Sequence, residues 1–107
     1  MRQNAARAYL SPIRSRPNLH VLKRAYVTKI LINDQQQAYG VTVFRNDTYL
    51  YIGARKEVIV CAGAINSPQL LMLSGIGPRE HLHQFGLKTV RDLKVGYNFQ
   101  DHYSFIG

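Results

Sequence analysis

The chain has 107 residues, of which 46% are hydrophobic and 19% are charged. This is the length and composition of one small globular domain, and it excludes a wholly disordered chain. Fourteen basic and six acidic residues give a net charge of +8, but seven of the bases and none of the acids lie within residues 1–33. Because no aromatic–basic or groove-reading motif accompanies this basic leading third, we expect no nucleic-acid partner.

The pattern of apolar residues predicts neither a membrane span nor a secretion signal. The longest apolar run, residues 58–65, has eight residues, whereas about 20 are needed to cross a bilayer. The first residues are polar and basic with no apolar stretch behind them, so no signal peptide is visible. The single cysteine, Cys61, excludes an internal disulfide and leaves the compartment open.

The first half of the chain predicts a short helix followed by an antiparallel β-meander. Residues 5–10 favour a helix, and Pro12 and Pro17 interrupt regular structure after it. Segments rich in β-branched and aromatic side chains then alternate with Asn-Asp pairs, which favour tight turns. The strands predicted in this way are residues 26–32, 40–44 and 48–52.

A fourth strand with a different pattern is predicted over residues 57–62. Its apolar run shows no alternation, which is typical of a strand covered on both faces, and Cys61 is expected to be a small core residue within it. Such a strand needs parallel neighbours, and no other segment of this chain offers one. We therefore predict an α/β fold that is incomplete as an independent unit and was cut from a larger protein.

A helix is predicted directly after Gly63. Asn66 or Ser67 can cap it, and Pro68 suits its first position. The body of the helix, residues 70–73, is apolar on nearly every side. This pattern predicts a buried helix and not an amphipathic one.

A turn, a second short helix and a loop are predicted for the rest of the chain. Gly75 ends the first helix, and Pro78 can open a second helix that reaches Phe85, with Gly86 at its C-terminal side. Residues 93–107 are loop-like.

The junction between the fourth strand and the helix is the candidate ligand site. Gly63 lets a ligand or another backbone approach the end of the strand closely, and the first amide groups of the helix carry positive partial charge. In open α/β sheets, ligands that are often nucleotides lie at this end of the strands. Many such turns use glycine for packing alone, so the pattern by itself leaves both interpretations open.

The remaining polar side chains predict neither a catalytic residue nor a metal site. Ser67 precedes a proline at a helix start, which is typical of a cap and not of a nucleophile. His81 and His83 are two residues apart, so they do not share a helical face, and no third ligand has metal-like spacing. Asp101 and His102 could be an orienter and a base, but adjacent residues rarely point at each other, which favours a loop pair with backbone hydrogen bonds.

Residues 63–77 read Gly-Ala-Ile-Asn-Ser-Pro-Gln-Leu-Leu-Met-Leu-Ser-Gly-Ile-Gly. This segment resembles the second signature of the glucose-methanol-choline (GMC) flavoprotein oxidoreductases. The flanks resemble the same family in the same order, at residues 18–21, 27–30 and 38–41 before the signature and at 77–82 and 95–102 after it. The resemblance covers residues 5–107. Within the family, the sequence resembles insect glucose-dehydrogenase-like members.

This resemblance implies FAD as the cofactor and part of a Rossmann-like FAD-binding domain as the fold. In that domain, an antiparallel β-meander precedes a buried parallel strand and its helix. By this likeness, the backbone of Val27 would meet the adenine end of FAD. Ala62, Gly63 and Ala64 would lie close to the cofactor at the end of the strand. Residues 98–102 would form a loop near the flavin.

The resemblance also implies which parts are missing. The family's Gly-rich dinucleotide fingerprint and its C-terminal segment with the catalytic histidine are absent, and none of the four histidines matches that position. We therefore predict that residues 1–107 are an internal fragment of an FAD-dependent oxidoreductase acting on the CH–OH group of a small-molecule alcohol or sugar. Both ends of the domain would be missing, and the isolated chain is predicted to be inactive. A non-enzymatic basic binding module and an inactive remnant are the alternatives.

Overall fold

The computed structural model describes residues 3–105, and it has the mixed α/β character predicted from the sequence. The predicted N-terminal helix is confirmed as a single π-type turn, Ala6–Leu10, followed by a 3-10 turn, Ser11–Ile13. The later elements are, in order, β1 (Tyr26–Ile32), β2 (Ala38–Arg45), β3 (Thr48–Gly53), α1 (Gly63–Leu73), β4 (Ile76–Gly77), α2 (Arg79–Gln84) and β5 (Arg91–Asp92).

The first three strands form an antiparallel sheet in the order β1-β2-β3, which confirms the predicted meander. In the register of the sheet, Val43 at the centre of β2 lies opposite Val27 of β1 and Leu50 of β3. The register of β1 shifts between Val27 and Lys29, where a bulge interrupts the ladder. β1 is an edge strand of this sheet, so one of its edges is free for other partners.

Asparagine and aspartate close the two turns of the meander, as predicted. The Asn33 side-chain oxygen accepts the backbone N–H groups of Gln35 at 3.0 Å and of Gln37 at 2.9 Å. In the second turn, Asn46 and Asp47 have φ angles of 51° and 59°. This left-handed pair is the conformation of a two-residue type I′ hairpin turn, which matches the twist of the strands. Local chemistry therefore specifies both connections.

The apolar core of the described residues is small. Ile30, Val43 and Leu82 are its buried apolar side chains, and α1 packs against β1. Large side chains elsewhere on the sheet, such as Tyr49 and Tyr51 of β3, are exposed. Much of the apolar surface of this chain is therefore left uncovered by its own residues.

The prediction of a buried fourth strand over residues 57–62 is wrong for this structure. The segment has no strand pairing among residues 3–105. Val58 and Val60 are half-buried, but Ile59 is 74% exposed and Cys61 is exposed, so Cys61 is not a core residue. The physical reason is that a strand of this kind is held by parallel neighbours on both edges, and the described chain supplies none.

The predicted start and burial of α1 are also corrected. The helix begins at Gly63, with Ala62 as its N-cap, so Pro68 lies inside the helix and not at its first position. The Ser67 hydroxyl accepts the backbone N–H of Ala62 at 2.9 Å. This hydrogen bond joins the N-cap residue to the body of the helix. No side chain of α1 is fully buried, because only one face of the helix has a sheet to pack against.

The C-terminal part follows the prediction more closely. Gly75, with a φ of 95°, ends α1, and α2 spans Arg79–Gln84 before Gly86, whose φ is 70°. One element was not predicted, the two-residue parallel pairing of β4 with β5. Residues 93–105 contain neither helix nor strand, as expected. Within the described range, no helix has the length and apolarity needed to cross a bilayer.

Candidate functional site

A cavity of about 240 Å³ lies between the beginning of β1 and one side of α1, along the length of the helix. It brings together Val27 and Ala62, two of the four residues expected to contact a cofactor. They are 35 positions apart in sequence. The residues that line the cavity are Ala25, Tyr26, Val27, Ala62, Asn66, Gln69, Leu70 and Leu73.

One face of α1 forms the helical wall of the cavity. Residues 62, 66, 69, 70 and 73 are separated by steps of three and four, the spacing that puts side chains on one face of a helix. Asn66 and Gln69 give this otherwise apolar wall two amide groups. The wall therefore offers both contact area and hydrogen-bond donors and acceptors to a ligand.

Gly63, beside the cavity-lining Ala62, has a backbone that favours glycine. Its φ is 92°, a conformation that L side chains rarely adopt, and a Cβ added to it would meet no atom within 4 Å. The end of the helix is therefore open to an approaching group. Ala62, Gly63 and Ala64 are all exposed here.

The N-terminus of α1 has positive partial charge that no acidic residue of its first turn neutralises. The helix has no side-chain cap hydrogen bond and no acidic residue in its first turn. The first amide groups of such a helix favour an anionic group. Ser67 uses its hydroxyl on the Ala62 N–H, so its position here is structural and not that of a nucleophile.

A side-chain hydrogen bond holds the segment that precedes β1. The Arg45 Nε–H donates to the Lys23 carbonyl at 3.2 Å, which ties the segment leading into Ala25 to the end of β2. Ala25 lines the cavity. This contact therefore holds the segment that leads into the strand-side wall of the cavity.

The other candidate groups do not form a chemical site in the structure. Asp101 accepts the backbone N–H of His102 at 2.7 Å, which confirms the loop pair with a backbone hydrogen bond. His81 packs edge-on against Phe85, with ring centroids 5.2 Å apart. Among residues 3–105, no three His, Cys, Asp or Glu side chains are grouped so that they could hold a metal ion.

Sequence reasoning missed Ser74, which the structure places between α1 and β1. Ser74 is 4% exposed, and its hydroxyl bonds to the backbones of both elements. The signal was present, since Ser74 is a polar residue at the end of an apolar helix and lies four and eight positions after Leu70 and Asn66. That spacing continues the face of α1 that lines the cavity.

The sequence of this chain is similar to those of known proteins. The chain matches the family model described as GMC oxidoreductase over residues 1–104. It is 47% identical over 102 residues to versicolorin B synthase of Aspergillus parasiticus, which covers 94% of this chain and 16% of that protein. It is equally identical, 47% over 102 residues, to the oxygen-dependent choline dehydrogenase of Brucella ovis, which covers 94% of this chain and 18% of that protein.

A solved structure extends the likeness to three dimensions. An FAD-dependent oxidoreductase from Chaetomium thermophilum matches with a TM-score of 0.77 and 37% sequence identity, covering 82% of this chain and 15% of that chain. This chain therefore spans less than a fifth of the length of each of these three relatives.

Proposed function

Since this chain belongs to the GMC oxidoreductase family, we propose that it forms part of an FAD-binding domain in an enzyme that oxidises the CH–OH group of an alcohol or sugar. The observation that carries this proposal is the cavity in which Val27 and Ala62 meet beside Gly63. That arrangement has a small-residue opening and uncompensated helix amides, as a nucleotide cofactor requires.

The family match locates this segment more specifically than the sequence alone, which predicted an internal fragment. The matching model is that of the family's N-terminal domain and covers residues 1–104. The expectation of an internal fragment is therefore corrected to a segment of the N-terminal domain. We further propose that residues 1–107 are one piece of that domain, with its remaining elements supplied by other parts of the protein. The likeness to insect glucose-dehydrogenase-like members stays a prediction.

The residues of the site fit part of a dinucleotide in chemistry and size. Gly63 leaves open space where a side chain would project, and the neighbouring Ala62 and Ala64 are the next smallest residues. The cavity of about 240 Å³ is below the ~300–1,000 Å³ usual for sites that enclose a drug-sized ligand. The site would therefore hold one portion of FAD, and we assign this portion to the adenine end, with the Val27 backbone against it.

The role of this chain in catalysis would be to bind and orient the cofactor. When bound, FAD supplies a flavin that accepts hydride from the substrate carbon. In this proposal, the opening at Gly63 admits the cofactor to the end of α1, and the helix amides attract its negative charge. The Asn66 and Gln69 amides on the α1 wall offer hydrogen bonds to the portion of the cofactor in the cavity. None of the four histidines is assigned as the catalytic base, so the isolated chain would be inactive.

The choice of substrate class draws on the family resemblance of residues 63–77 and on a relative that is named for an alcohol. The Brucella ovis relative is named for choline, which is an alcohol. The Aspergillus parasiticus relative, at the same identity, is named as a synthase. Identity over this segment therefore does not select the reaction by itself, and the alcohol or sugar substrate is part of our proposal.

The test begins with the native protein, isolated with an antibody against residues 79–92. We expect a species much heavier than 12.2 kDa that shows the visible absorption bands of oxidised flavin. Those bands should bleach on anaerobic addition of an alcohol or a sugar from a substrate panel. A colourless species that neither binds added FAD nor reacts would overturn the proposal and leave the inactive remnant or the basic binding module.

A further inference from the structure

Ser74 has an unusual environment for a serine in this chain. It directly follows α1 and is the buried polar residue of the described range, at 4% exposed. Its Oγ–H donates to the Leu70 carbonyl at 2.6 Å, and the same oxygen accepts the backbone N–H of Ile30 at 2.8 Å. One hydroxyl therefore bonds to the backbone of two elements that are 44 residues apart in sequence.

The bond to Ile30 uses the free edge of β1. Since β2 is the only strand among residues 3–105 that pairs with β1, an N–H on the other edge of β1 needs an acceptor from outside the sheet. Ile30 is buried, with 4% of its surface exposed, so water does not replace that acceptor. A buried N–H without a partner is costly, and a hydroxyl is the small group that can accept from Ile30 while donating to Leu70.

Ser74 also continues the helix face that lines the Val27–Ala62 cavity. Asn66, Leu70 and Ser74, which directly follows α1, are four apart, so they lie along one side of the helix. Leu70, which accepts the Ser74 hydroxyl, is itself a cavity wall residue. On the strand side, Ile30 is three residues from Val27, a distance of about 10 Å along β1. The Ser74 contact thus joins the helix and the strand that form the two walls of the cavity, next to Leu73, the last cavity-lining residue of α1.

We infer that Ser74 is a positioning residue for the proposed cofactor site: its hydroxyl sets the separation and rotation of α1 relative to β1, and so the width of the Val27–Ala62 cavity. Ser74 does not touch the cofactor. It acts through Leu70 and Ile30, whose backbones it joins. This inference rests on the proposed function, because it assigns the cavity to one part of FAD.

The experiment measures binding of three probes to the native protein after its flavin has been removed. FAD is the whole cofactor, ADP represents its adenosine half, and FMN represents its flavin half. Ser74→Ala removes both hydrogen bonds, and Ser74→Cys retains a weaker donor and acceptor. Ser15→Ala, at an exposed serine far along the chain from α1, is the matched control.

We expect Ser74→Ala to weaken binding of FAD and ADP roughly tenfold, about 1.4 kcal/mol, because loss of both Ser74 hydrogen bonds lets α1 shift against β1. FMN affinity should change by less than about twofold, because FMN lacks the half that the cavity holds. Ser74→Cys should change the same affinities in the same direction by a smaller factor. Hydrogen exchange of the Ile30 amide should be faster in both variants than in Ser15→Ala.

Three results separate the possible failures. If unmodified protein binds neither FAD nor ADP, the proposed function fails and this inference fails with it. If unmodified protein binds both and Ser74→Ala binds them as tightly, only the role of Ser74 is overturned. Equal weakening of ADP and FMN also overturns it, since that pattern means general loosening of the fold. If Ser74→Ala cannot be purified folded, the ADP-to-FMN comparison in Ser74→Cys decides by the same criteria.

Discussion

Asp92 of β5 closes the N-terminal end of α2 through Arg79. One carboxylate oxygen of Asp92 accepts the backbone N–H of Arg79 at 3.1 Å, and the other lies 3.6 Å from Arg79 Nε. No residue at the start of α2 provides a side-chain cap, so Asp92 supplies from another strand the acceptor that the helix start lacks. The short parallel pairing of β4 with β5 brings Asp92 to this position.

The first prediction concerns this remote cap. Asp92→Ala should lower the free energy of unfolding by about 1 kcal/mol, the usual effect of losing a helix-capping acceptor. Asp92→Asn keeps an acceptor oxygen and should lose less. Because the guanidinium contact is exposed, added salt should hardly change the difference between variants. Urea unfolding at two salt concentrations measures this, and a difference that disappears in high salt would mean that the ion pair dominates.

A second prediction tests the packing between β2 and β3. A Cβ added at Gly40 would lie 2.6 Å from the Ile52 carbonyl oxygen and 2.8 Å from Tyr51 Cε2. The carbonyl belongs to the backbone of the paired strand and cannot rotate away. Gly40→Ala should therefore destabilise the protein by roughly 1–3 kcal/mol, as overpacked sites do.

Gly53 is the matched control for Gly40, since the two glycines lie opposite each other in the register. A Cβ at Gly53 would meet only the Tyr51 side chain, at 3.1 Å from its hydroxyl oxygen. That side chain can move, so Gly53→Ala should cost clearly less than Gly40→Ala in thermal or urea unfolding. Equal losses for the two variants would contradict a clash between the new Cβ and the strand backbone.

Local sequence chemistry was sufficient to predict the meander. Strand β1 was predicted at its observed bounds, because residues 26–32 combine β-branched side chains with a turn pair directly after them. The turn at Asn46 and Asp47 also followed from residue type, since both residues tolerate the left-handed conformation they adopt. Such features depend on neighbours in sequence and need no knowledge of the rest of the fold.

Features that depend on distant partners were not predictable in the same way. Residues 57–62 have the composition of a buried strand, but Ile59 is exposed because no neighbouring strand is present in the described chain. The meeting of Val27 with Ala62 was expected only through the family resemblance, and the Ser74 contact to Ile30 was not expected at all. Each of these contacts requires the relative placement of β1 and α1, which residue patterns alone do not fix.

A third prediction tests the proposed cofactor site at Gly63. Gly63→Ala should cost about 1–3 kcal/mol of stability, because a non-glycine residue is strained at a φ of 92°. If this glycine admits the cofactor, the variant should also retain less flavin after purification. Flavin content per protein, read from visible absorbance, and urea unfolding measure the two effects separately.

Gly86→Ala separates strain from cofactor binding. Gly86 also has a positive φ, 70°, and a Cβ added to it would likewise meet nothing within 4 Å, but it follows α2 and does not line the Val27–Ala62 cavity. We expect a comparable stability loss in Gly86→Ala with full flavin content. If both variants lose the same share of flavin, the loss follows from strain, and Gly63 has no specific role at the site.

The last prediction tests whether residues 57–62 are covered in the whole protein. Ile59 is 74% exposed in this structure, although its neighbours have the uninterrupted apolar pattern of a strand covered on both faces. If other parts of the domain cover the segment, Ile59→Lys would bury an unpaired charge. In the native protein, we expect this variant to lose about 3–5 kcal/mol of stability or to fail to accumulate.

Two further variants make the result decisive. Ile59→Val keeps an apolar side chain and should cost only about 0.5–1.5 kcal/mol if the site is packed. Phe85→Lys introduces the same charge at another exposed apolar residue, 68% exposed directly after α2, and so measures the cost of a lysine outside residues 57–62. An Ile59→Lys protein as stable as Phe85→Lys would mean that the exposed segment seen here is its native state. The prediction of a covered strand over residues 57–62 would then be abandoned for the whole protein as well.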